Sequence, residues 1–438
     1  MSELGYTDAT TAGGTGAMSE FYDDLERRDP EVREQNLMAA LPGQVALAQN
    51  KAPGFASILG DALAEISAPD ITSREALARL PVTRKSDLIA LQENTPPFGG
   101  LNATPPGGLR RLFMSPGPIA DPQGRGPDWF RFGRALFAAG VRPGDIVHNC
   151  FSYHLTPAGF MMEDAAAANG CAVFPGGVGN SEAQVQAIHH FGASVYAGTP
   201  DFLKVILDKA DELGVDIGTL TKATVGGGAL FPAVREEYSD RGVQVLQSYG
   251  SADCGLIAYE SAAMEGLILD ESIIVEIVRP GTNDPADEDE IGEVVVTLLN
   301  PDYPLIRFGT GDLSVFMPGQ SPCGRTAPRI KGWMGRADQT TKVRGMFVHP
   351  GQIDAVVKQT AEIGAAITKA RLEVGNENGS DTARLLCEVG DVPGGPPLPA
   401  QVEAIFNEIC NVRARVEYVK PGALPNDGKV IDDTRSYG

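Results

Sequence analysis

The chain has 438 residues, of which 42% are hydrophobic and 21% are charged, and these proportions are those of a globular protein rather than a disordered one. Its formal net charge of −21 argues against nucleic acid or an anionic membrane surface as a main partner. No C-x-x-C pair and no run of 18 apolar residues is present, so neither a zinc knuckle nor a membrane-spanning helix is indicated. We therefore expect a cytoplasmic protein of two or three domains, with no nucleic-acid or membrane partner.

The N-terminal part of the chain is predicted to be helical after a disordered start. Residues 1–18 are small and polar, without the basic start and apolar core of a signal peptide. From Ser19 to Glu93, polar caps alternate with short apolar stripes. Within this segment the run LPVTRKSDL, residues 80–88, stands out, because Pro81 closes one helix and Ser86 or Asp87 can cap the next. We assign this run a structural role and no chemistry.

Strands and helices alternate in the next part of the chain. The predicted elements are a helix at 129–140, a strand at 146–153, a helix at 161–168, an apolar run at 171–175, a helix at 182–191 and a strand at 194–198. This spacing predicts βαβ units and a mostly parallel sheet covered on both faces. Since ligands of such sheets bind beyond the carboxyl ends of the strands, Phe151, Tyr153 and Thr199 are expected at the mouth of a pocket.

Two further strands run into glycine-containing turns. The first ends in the triple glycine 226–228, where backbone can lie against a flat ring, followed by Ala229 and Leu230. A lone G-G-G is weak evidence. The second strand ends in the sequence YGSAD, residues 249–253, with an acid three residues past the glycine. The carboxylate of Asp253 has the chemistry to bind a hard cation.

The stretch from Pro301 to Ile353 joins the two halves of the chain. Its apolar run 305–308 is broken by the sequence GTGD, whose glycines let backbone approach a ligand and whose Asp312 can accept hydrogen bonds from two hydroxyls, as on a ribose. The turn GRAD, residues 335–338, follows. A small α+β domain is predicted after it, ending in LPNDGKV with Lys429. Each piece alone has an ordinary explanation, a simple turn or a solvated lysine.

Taken together, in this order and spacing, these motifs resemble the phenylacetate–CoA ligase family of the adenylate-forming superfamily. The resemblance runs from about Ser19 to the C-terminus and includes the run LPVTRKSDL. It implies an α/β fold, with a large N-terminal domain of mostly parallel sheets covered by helices (residues 19–334) and a small, mobile α+β C-terminal domain (residues 335–438). The hinge between them is implied near Asp338. The oligomeric state stays open, a homodimer included.

The resemblance also implies a role for individual residues of the nucleotide site. It makes Asp312 the ribose ligand, Tyr249 the side chain that stacks on adenine, and Asp253 the ligand of Mg²⁺. The remaining nucleotide-binding positions that it implies are Gly228, Ala229, Leu230, Gly250 and Ser251.

The implied catalytic and acyl-binding residues lie elsewhere in the sequence. By the resemblance, Arg336 contacts the phosphate side, and Lys429 neutralises charge that develops during adenylation. Phe151, Tyr153 and His154 are candidates for the acyl pocket. An alternative remains open, in which Phe151 and Tyr153 are core residues of a strand and His154 is a surface residue.

The implied function is that of an AMP-forming carboxylate–CoA ligase, which uses ATP, Mg²⁺ and CoA on an aromatic or otherwise apolar acid. Two departures from the family pattern keep a second hypothesis open. Of the family's Ser/Thr/Gly-rich phosphate loop only Ser115 and Gly117 match, with no lysine up to Gln123, and Ala252 replaces a threonine. The alternative is a homologue that has lost adenylation and binds AMP, an acyl adenylate or a CoA thioester. A dinucleotide-binding oxidoreductase is discarded, because no G-x-G-x-x-G follows a strand.

Overall fold

The computed structural model describes residues 20–115, 118–228, 230–339, 341–343, 346–364, 367–377, 380–390, 395–425 and 429–435. The predicted disordered start and two of the predicted site residues, Gly117 and Ala229, lie outside these ranges, and of Asp338 only the backbone is described. Within the described part of the chain, every helix is too short or too polar to cross a lipid bilayer.

The N-terminal segment is helical, as predicted. Its elements are α1 Pro30–Lys51, α2 Pro53–Ile58, α3 Gly60–Glu65, α4 Arg74–Ala78, β1 Thr83–Arg84 and α5 Leu88–Asn94. The carboxylate of Asp29 caps α1 by accepting hydrogen bonds from the next turn, and Leu37, Leu41 and Val45 recur at the four-residue spacing that buries one helix face. These residues join the largest hydrophobic core of the molecule. A two-stranded hairpin follows, β2 Arg111–Ser115 and β3 Ile119–Gln123.

The predicted α/β alternation forms one half of a nine-stranded sheet. Its elements are α6 Gly133–Ala138, β4 Ile146–Asn149, α7 Ala158–Ala168, β5 Ala172–Pro175, α8 Ser181–Phe191, β6 Val195–Gly198, α9 Pro200–Leu213, β7 Lys222–Val225, α10 Pro232–Asp240 and β8 Gln244–Ser251. The five strands in the order β5-β4-β6-β7-β8 are parallel. In α9, Leu203, Ile206 and Leu207 form the buried stripe that packs this helix over a second core.

The chain then turns back and extends the same sheet with antiparallel strands. These elements are β9 Gly255–Tyr259, β10 Leu267–Leu269, β11 Ile273–Val278, β12 Gly292–Leu298, β13 Phe308–Ser314, β14 Phe316–Met317 and β15 Arg329–Ile330. Strands β9, β10, β15 and β14 continue the large sheet beyond β8. Strands β11, β12 and β13 form a separate antiparallel sheet, with β1 added parallel to β13 at its edge.

The C-terminal residues form the small α+β unit that the sequence predicted. Its elements are β16 Thr341–Val343, β17 Met346–Val348, α11 Pro350–Glu362, β18 Ile367–Glu377, β19 Ser380–Val389, α12 Pro399–Cys410, β20 Arg415–Val419 and β21 Ile431–Asp433. Four strands pair in the order β20-β19-β18-β21, and α11 and α12 cover a separate core. The predicted α/β fold class is thus confirmed, whereas the mobility predicted for the C-terminal domain stays a prediction. Parallel pairing in the large sheet is confined to β4–β8, and the rest of that sheet is antiparallel.

Candidate active site

Three loops meet at the carboxyl edge of the parallel strands. Gly227 follows β7 with a φ of +70°, a conformation that favours glycine. A Cβ placed on it would lie 3.9 Å from the methyl group of Thr199 and 4.0 Å from the ring of Phe151. The structure therefore brings together the ends of β4, β6 and β7, as expected for the mouth of a pocket.

Asp312 lies at the centre of the site. Its Oδ2 accepts a hydrogen bond from the phenol of Tyr249, at 3.0 Å. Its Oδ1 accepts from the indole nitrogen of Trp333 at 3.1 Å and from Nη1 of Arg336 at 3.2 Å. Burial raises the pKa of Tyr249 well above its usual range, with the Asp312 carboxylate adding to the effect, so this phenol stays protonated and acts as a donor. Three residues predicted from separate motifs, Tyr249, Asp312 and Arg336, are therefore in direct contact.

Gly311 makes the approach of Arg336 feasible. Its φ is +76°, and a Cβ there would lie 2.6 Å from a guanidinium nitrogen of Arg336. Arg336 also forms an isolated antiparallel bridge with Asp312, so the two backbones lie side by side. Gly311 thus allows an irregularity within β13, where its φ is positive, and leaves room for Arg336 against the T-G-D motif.

Behind this centre lies a buried group of charges that involves Asp253. The ammonium of Lys85 donates to Oδ2 of Asp253 at 2.6 Å, and the Asp253 side chain is fully buried. Burial alone would lower the pKa of Lys85, but the carboxylates of Asp253 and Asp121 more than offset this effect and raise it. Asp121 itself is fully buried, and burial together with the charge of Asp253 raises its pKa to about 8. The nearby hydroxyl of Ser115 donates to the carbonyl of Ile119.

A small cavity of about 180 Å³ opens beside this group. Its lining residues are Arg84, Lys85, Ser86, Gly281, Glu293, Gly311, Arg336 and Ala337. The carboxylate of Glu293 lies 3.6 Å from Nε of Arg84 and accepts the backbone N–H of Gly311 at 3.1 Å. Lys85, which is paired with Asp253, and Arg336, which is paired with Asp312, therefore line the same small cavity.

The predicted acyl-pocket residues have different environments. Tyr153 accepts a hydrogen bond at its phenol oxygen from Asn149 Nδ2, at 2.7 Å, and packs edge-to-face on Phe160 with 5.1 Å between ring centroids. Phe151 is half-buried at the loop junction near Gly227. His154 is exposed, and its backbone N–H donates to the hydroxyl of Ser152. Phe151 and Tyr153 thus stand at the carboxyl end of β4, while His154 faces solvent.

Other predicted nucleotide contacts have a structural explanation in this fold. Leu230 is buried in the core beneath the helices of the α/β half. A Cβ on Gly250 would lie 2.4 Å from the carbonyl oxygen of Gly255, so close pairing of β8 with β9 requires a glycine. The hydroxyl of Ser251 accepts the N–H of Cys254 and stabilises the turn between these strands. Gly228 would contact the ring of Pro200 at 3.3 Å if it carried a Cβ.

Lys429 precedes β21 in the C-terminal unit. Its ammonium lies 3.1 Å from Oδ1 of Asp432, and just over half of its side chain is exposed. The neighbouring backbone N–H of Val430 donates to Oε1 of Gln339 at 2.8 Å. Gln339 belongs to the short 3₁₀ turn Ala337–Gln339, which contains the predicted hinge residue. The segment Lys429–Val430, called the lysine loop below, is therefore hydrogen-bonded to the turn that contains the predicted hinge residue.

Known proteins similar to this chain are ligases that use coenzyme A. A phenylacetate–coenzyme A ligase from Thermus thermophilus is 29% identical over 362 residues, which is 79% of each chain. A phenylacetate–coenzyme A ligase from Pseudomonas putida is 31% identical over 316 residues, or 67% of this chain and 69% of the relative. The chain belongs to the phenylacetate–CoA ligase family. No family model matches it.

Solved structures of adenylate-forming enzymes share the fold of this phenylacetate–CoA ligase family member. A crystal structure of 2-hydroxyisobutyryl-CoA ligase in an open conformation, with 2-HIB-AMP and CoA, superposes with a TM-score of 0.83 at 23% identity, covering 98% of this chain and 97% of the other. The same enzyme in its thioesterification state gives 0.69, with 99% and 96% covered. The predicted family and enzyme class, an AMP-forming acid–thiol ligase, are confirmed, and the adenylation-deficient alternative is not favoured.

The family member carries functional candidates that its sequence did not single out. Lys85 lies in a run that the sequence assigns a structural role, and no sequence motif points to Asp121 or Trp333. Lys85 pairs with a residue 168 positions away, and Trp333 with one 21 positions away. The prediction that Ser86 or Asp87 caps the following helix is wrong, because neither side chain caps α5, and the run LPVTRKSDL instead forms β1 against the T-G-D strand.

Proposed function

We infer that this protein activates a carboxylic acid with ATP and transfers the acyl group from the resulting adenylate to coenzyme A. The observation that carries this inference is the convergence of Tyr249, Arg336 and Trp333 on the carboxylate of Asp312. A carboxylate with donors on both oxygens is held at a fixed orientation, and the two hydroxyls of a ribose can donate to these same two oxygens. Adenine would then lie against the ring of Tyr249.

The acid is proposed to be aromatic or otherwise apolar. The relatives named above are phenylacetate–CoA ligases, and the similar solved structure is a ligase for the branched 2-hydroxyisobutyryl group. At the carboxyl end of β4, the half-buried rings of Phe151 and Tyr153 offer apolar surface, and Asn149 fixes the phenol of Tyr153. An apolar acyl group with one anionic end suits such a lining.

Lys429 is proposed to neutralise negative charge on the reacting carboxylate and α-phosphate, and Arg336 to contact the phosphate side. For that role the C-terminal unit has to bring Lys429 towards Asp312, and rotation at Asp338 would supply this movement. The bond between Val430 and Gln339 supports coupling of the lysine loop to the hinge turn. Crystal structures of 2-hydroxyisobutyryl-CoA ligase represent both a postadenylation state and a thioesterification state of that enzyme.

A magnesium ion held by Asp253 fits this arrangement poorly. Oδ2 of Asp253 already accepts the ammonium of Lys85, and only Oδ1 lacks a hydrogen-bond donor among the described residues. Nor do the described residues contain a group of three or more acidic, histidine or cysteine side chains suited to a metal. Magnesium is therefore expected to enter with the phosphates of ATP, and no step is assigned to a protein-held ion.

The experiment incubates the purified protein with ATP, MgCl₂ and a panel of aromatic, branched and short-chain acids, with and without CoA, and measures pyrophosphate release and thioester. Acid-dependent release followed by CoA-dependent thioester is the expected result. Lys429→Ala should reduce the rate by about 100-fold or more, the scale for removing one preorganised charge contact. Lys420 is an exposed lysine of the same unit, and Lys420→Ala should retain the wild-type rate. Wild-type protein that releases no pyrophosphate with any acid would contradict the proposed function.

A further inference from the structure

Lys85 occupies a position in the site that its sequence context did not indicate. Strand β1 pairs parallel with β13, with Thr83 opposite Phe308 and Arg84 opposite Gly309. Lys85 follows β1 directly as the first residue of the short 3₁₀ helix Lys85–Asp87, and so lies beside Thr310 and Gly311, the residues of β13 that precede Asp312. The pairing of the edge strand β1 with β13 thus places a lysine next to the T-G-D motif.

The side chain of Lys85 reaches inward and remains accessible at the same time. Its ammonium donates to the fully buried Asp253, while about 25% of the side chain is exposed. An ammonium has three N–H donors, and Asp253 takes one of them. Lys85 also lines the 180 Å³ cavity together with Gly311 and Arg336. A charged donor is therefore anchored at a fixed point of a cavity that borders the proposed ribose ligand.

The hairpin that corresponds to the phosphate loop offers few donors. It contains no lysine from Ser115 to Gln123, and its prolines have no N–H. The hydroxyl of Ser115 donates to the carbonyl of Ile119, within the hairpin itself. The phosphates of a nucleoside triphosphate need several hydrogen-bond donors, charged side chains or backbone N–H groups. These donors therefore have to come from elements other than the hairpin.

We propose that Lys85, held by Asp253, binds the phosphates of ATP in the cavity that it shares with Arg336, in place of the lysine that the hairpin lacks. The proposal rests on the proposed function, since it assumes that ATP is the activating substrate. The charge that the resemblance assigned to a magnesium ion at Asp253 is supplied here by an ammonium. Arg84, which lines the same cavity and is paired with Glu293, is positioned to add a second cation.

Lys222 provides a matched control for this proposal. It forms a comparable lysine–aspartate pair, with its ammonium 2.7 Å from Oδ2 of Asp145 and 27% of its side chain exposed. Lys222 is the first residue of β7, at the end of the parallel strands opposite to the pocket. Loss of an ion pair in the same domain can therefore be separated from loss of the phosphate contact.

The test measures binding of ATP, with MgCl₂, and of adenosine by isothermal titration calorimetry. Lys85→Met should weaken ATP binding about tenfold or more, the scale of one charge-assisted contact, and leave adenosine binding within about twofold. Lys222→Met should leave both affinities unchanged. Equal weakening of ATP and adenosine would overturn the proposal in favour of a structural role for Lys85, and so would an unchanged ATP affinity.

A second variant guards against misfolding. Lys85→Met leaves the buried Asp253 without its cation, so Lys85→Met combined with Asp253→Asn removes both charges. The double variant should show the same selective loss of ATP affinity. Measurement of ATP binding by the wild-type protein distinguishes failure of this proposal from failure of the proposed function. ATP that binds without acid-dependent pyrophosphate release would contradict the ligase reaction and leave the role of Lys85 measurable, whereas a wild type that binds no ATP would overturn both.

Discussion

At the scale of single residues, the site depends on how one carboxylate is used. Both oxygens of Asp312 accept hydrogen bonds from side chains that lie far apart in sequence. A bound nucleotide can displace these donors or donate to the carboxylate alongside them. A second aspartate gives a useful contrast. Asp302 accepts the indole N–H of Trp129 at 3.0 Å and the hydroxyl of Thr104 at 2.6 Å, but these contacts lie outside the strand edge that forms the pocket.

Replacement of Asp312 by asparagine is expected to weaken nucleotide binding. Asparagine can accept at only one of its two terminal atoms, so one ribose hydroxyl would lose its acceptor and the charge would be lost. We expect the dissociation constant of AMP to rise about tenfold or more, as measured by calorimetry. Asp302→Asn, which changes the other indole-binding aspartate, should leave that constant unchanged. AMP binding by Asp312→Asn at wild-type strength would show that the carboxylate is not the ribose ligand.

Residue by residue, the sequence predicted those parts of the site that lie in short continuous motifs. Asp312 and Arg336 come from two motifs 24 positions apart, and the structure places them in contact, while the roles predicted for them in nucleotide binding stay predictions. The Lys85–Asp253 pair has no local signature, because it depends on β1 docking against β13. Gly250 is predicted to bind the nucleotide, which stays a prediction, but it also has a structural explanation. A glycine in a binding motif can be needed for strand pairing alone, and only the position of Gly255 reveals this.

At the scale of elements, the edge strand β1 depends on the buried Arg307. This residue is fully buried, has a φ of +45°, and lies next to β13. Its guanidinium pairs with Glu276 at 3.1 Å and donates to the carbonyls of Ala78 and Leu80, just before β1. It also donates to the carbonyl of Asn283. One side chain thereby ties β11, β13 and the segment that carries Lys85 together.

Replacement of Arg307 by methionine is expected to destabilise the protein and weaken ATP binding. The substitution leaves Glu276 buried without its partner, and breaking such a pair typically costs about 3–5 kcal/mol. Urea denaturation gives the free energy of unfolding, and calorimetry gives the affinity. Arg279→Met removes an ion pair on the exposed loop between β11 and β12 and should change neither quantity appreciably. A fully stable Arg307→Met protein would contradict the proposed coupling.

The strength of a local pattern decided which elements were predictable. Helix α8 has a buried stripe and a clear end, and its predicted bounds, 182–191, lie within one residue of those observed. Strand β1 has only two residues and β21 only three, so neither has a period that a sequence pattern can show. Both strands exist because neighbouring strands provide partners for them, and both lie next to proposed site residues, Lys85 and Lys429.

At the scale of the whole molecule, the described residues before and after the turn Ala337–Gln339 form separate hydrophobic cores. Val343, Val356 and Phe406 belong to the core of the C-terminal unit, which does not include residues of the large domain. The connection runs through Arg336, paired with Asp312, and through the turn Ala337–Gln339. A unit with its own core can rotate as a body when few contacts cross the connection.

Stiffening of the hinge should separate the two half-reactions. Asp338→Pro fixes the backbone torsion at the proposed pivot. We expect acid-dependent pyrophosphate release within about tenfold of wild type, and thioester formation reduced by about 100-fold or more. Single-turnover assays of adenylate formation and of thioester formation from preformed adenylate measure these steps. Asp338→Ala, without the constraint, is the control. Equal losses in both steps would argue against rotation at this residue.

The placement of the two tryptophans has a practical consequence. The chain contains only Trp129 and Trp333. Trp129 is 9% exposed and bound to Asp302, whereas Trp333 is 57% exposed and bound to Asp312. A sugar that occupies Asp312 must change the surroundings of Trp333 and leave those of Trp129 as they are. Intrinsic fluorescence of the unlabelled protein therefore contains one indole that reports on the ligand and one that serves as an internal reference, so occupancy could be followed in real time through both half-reactions.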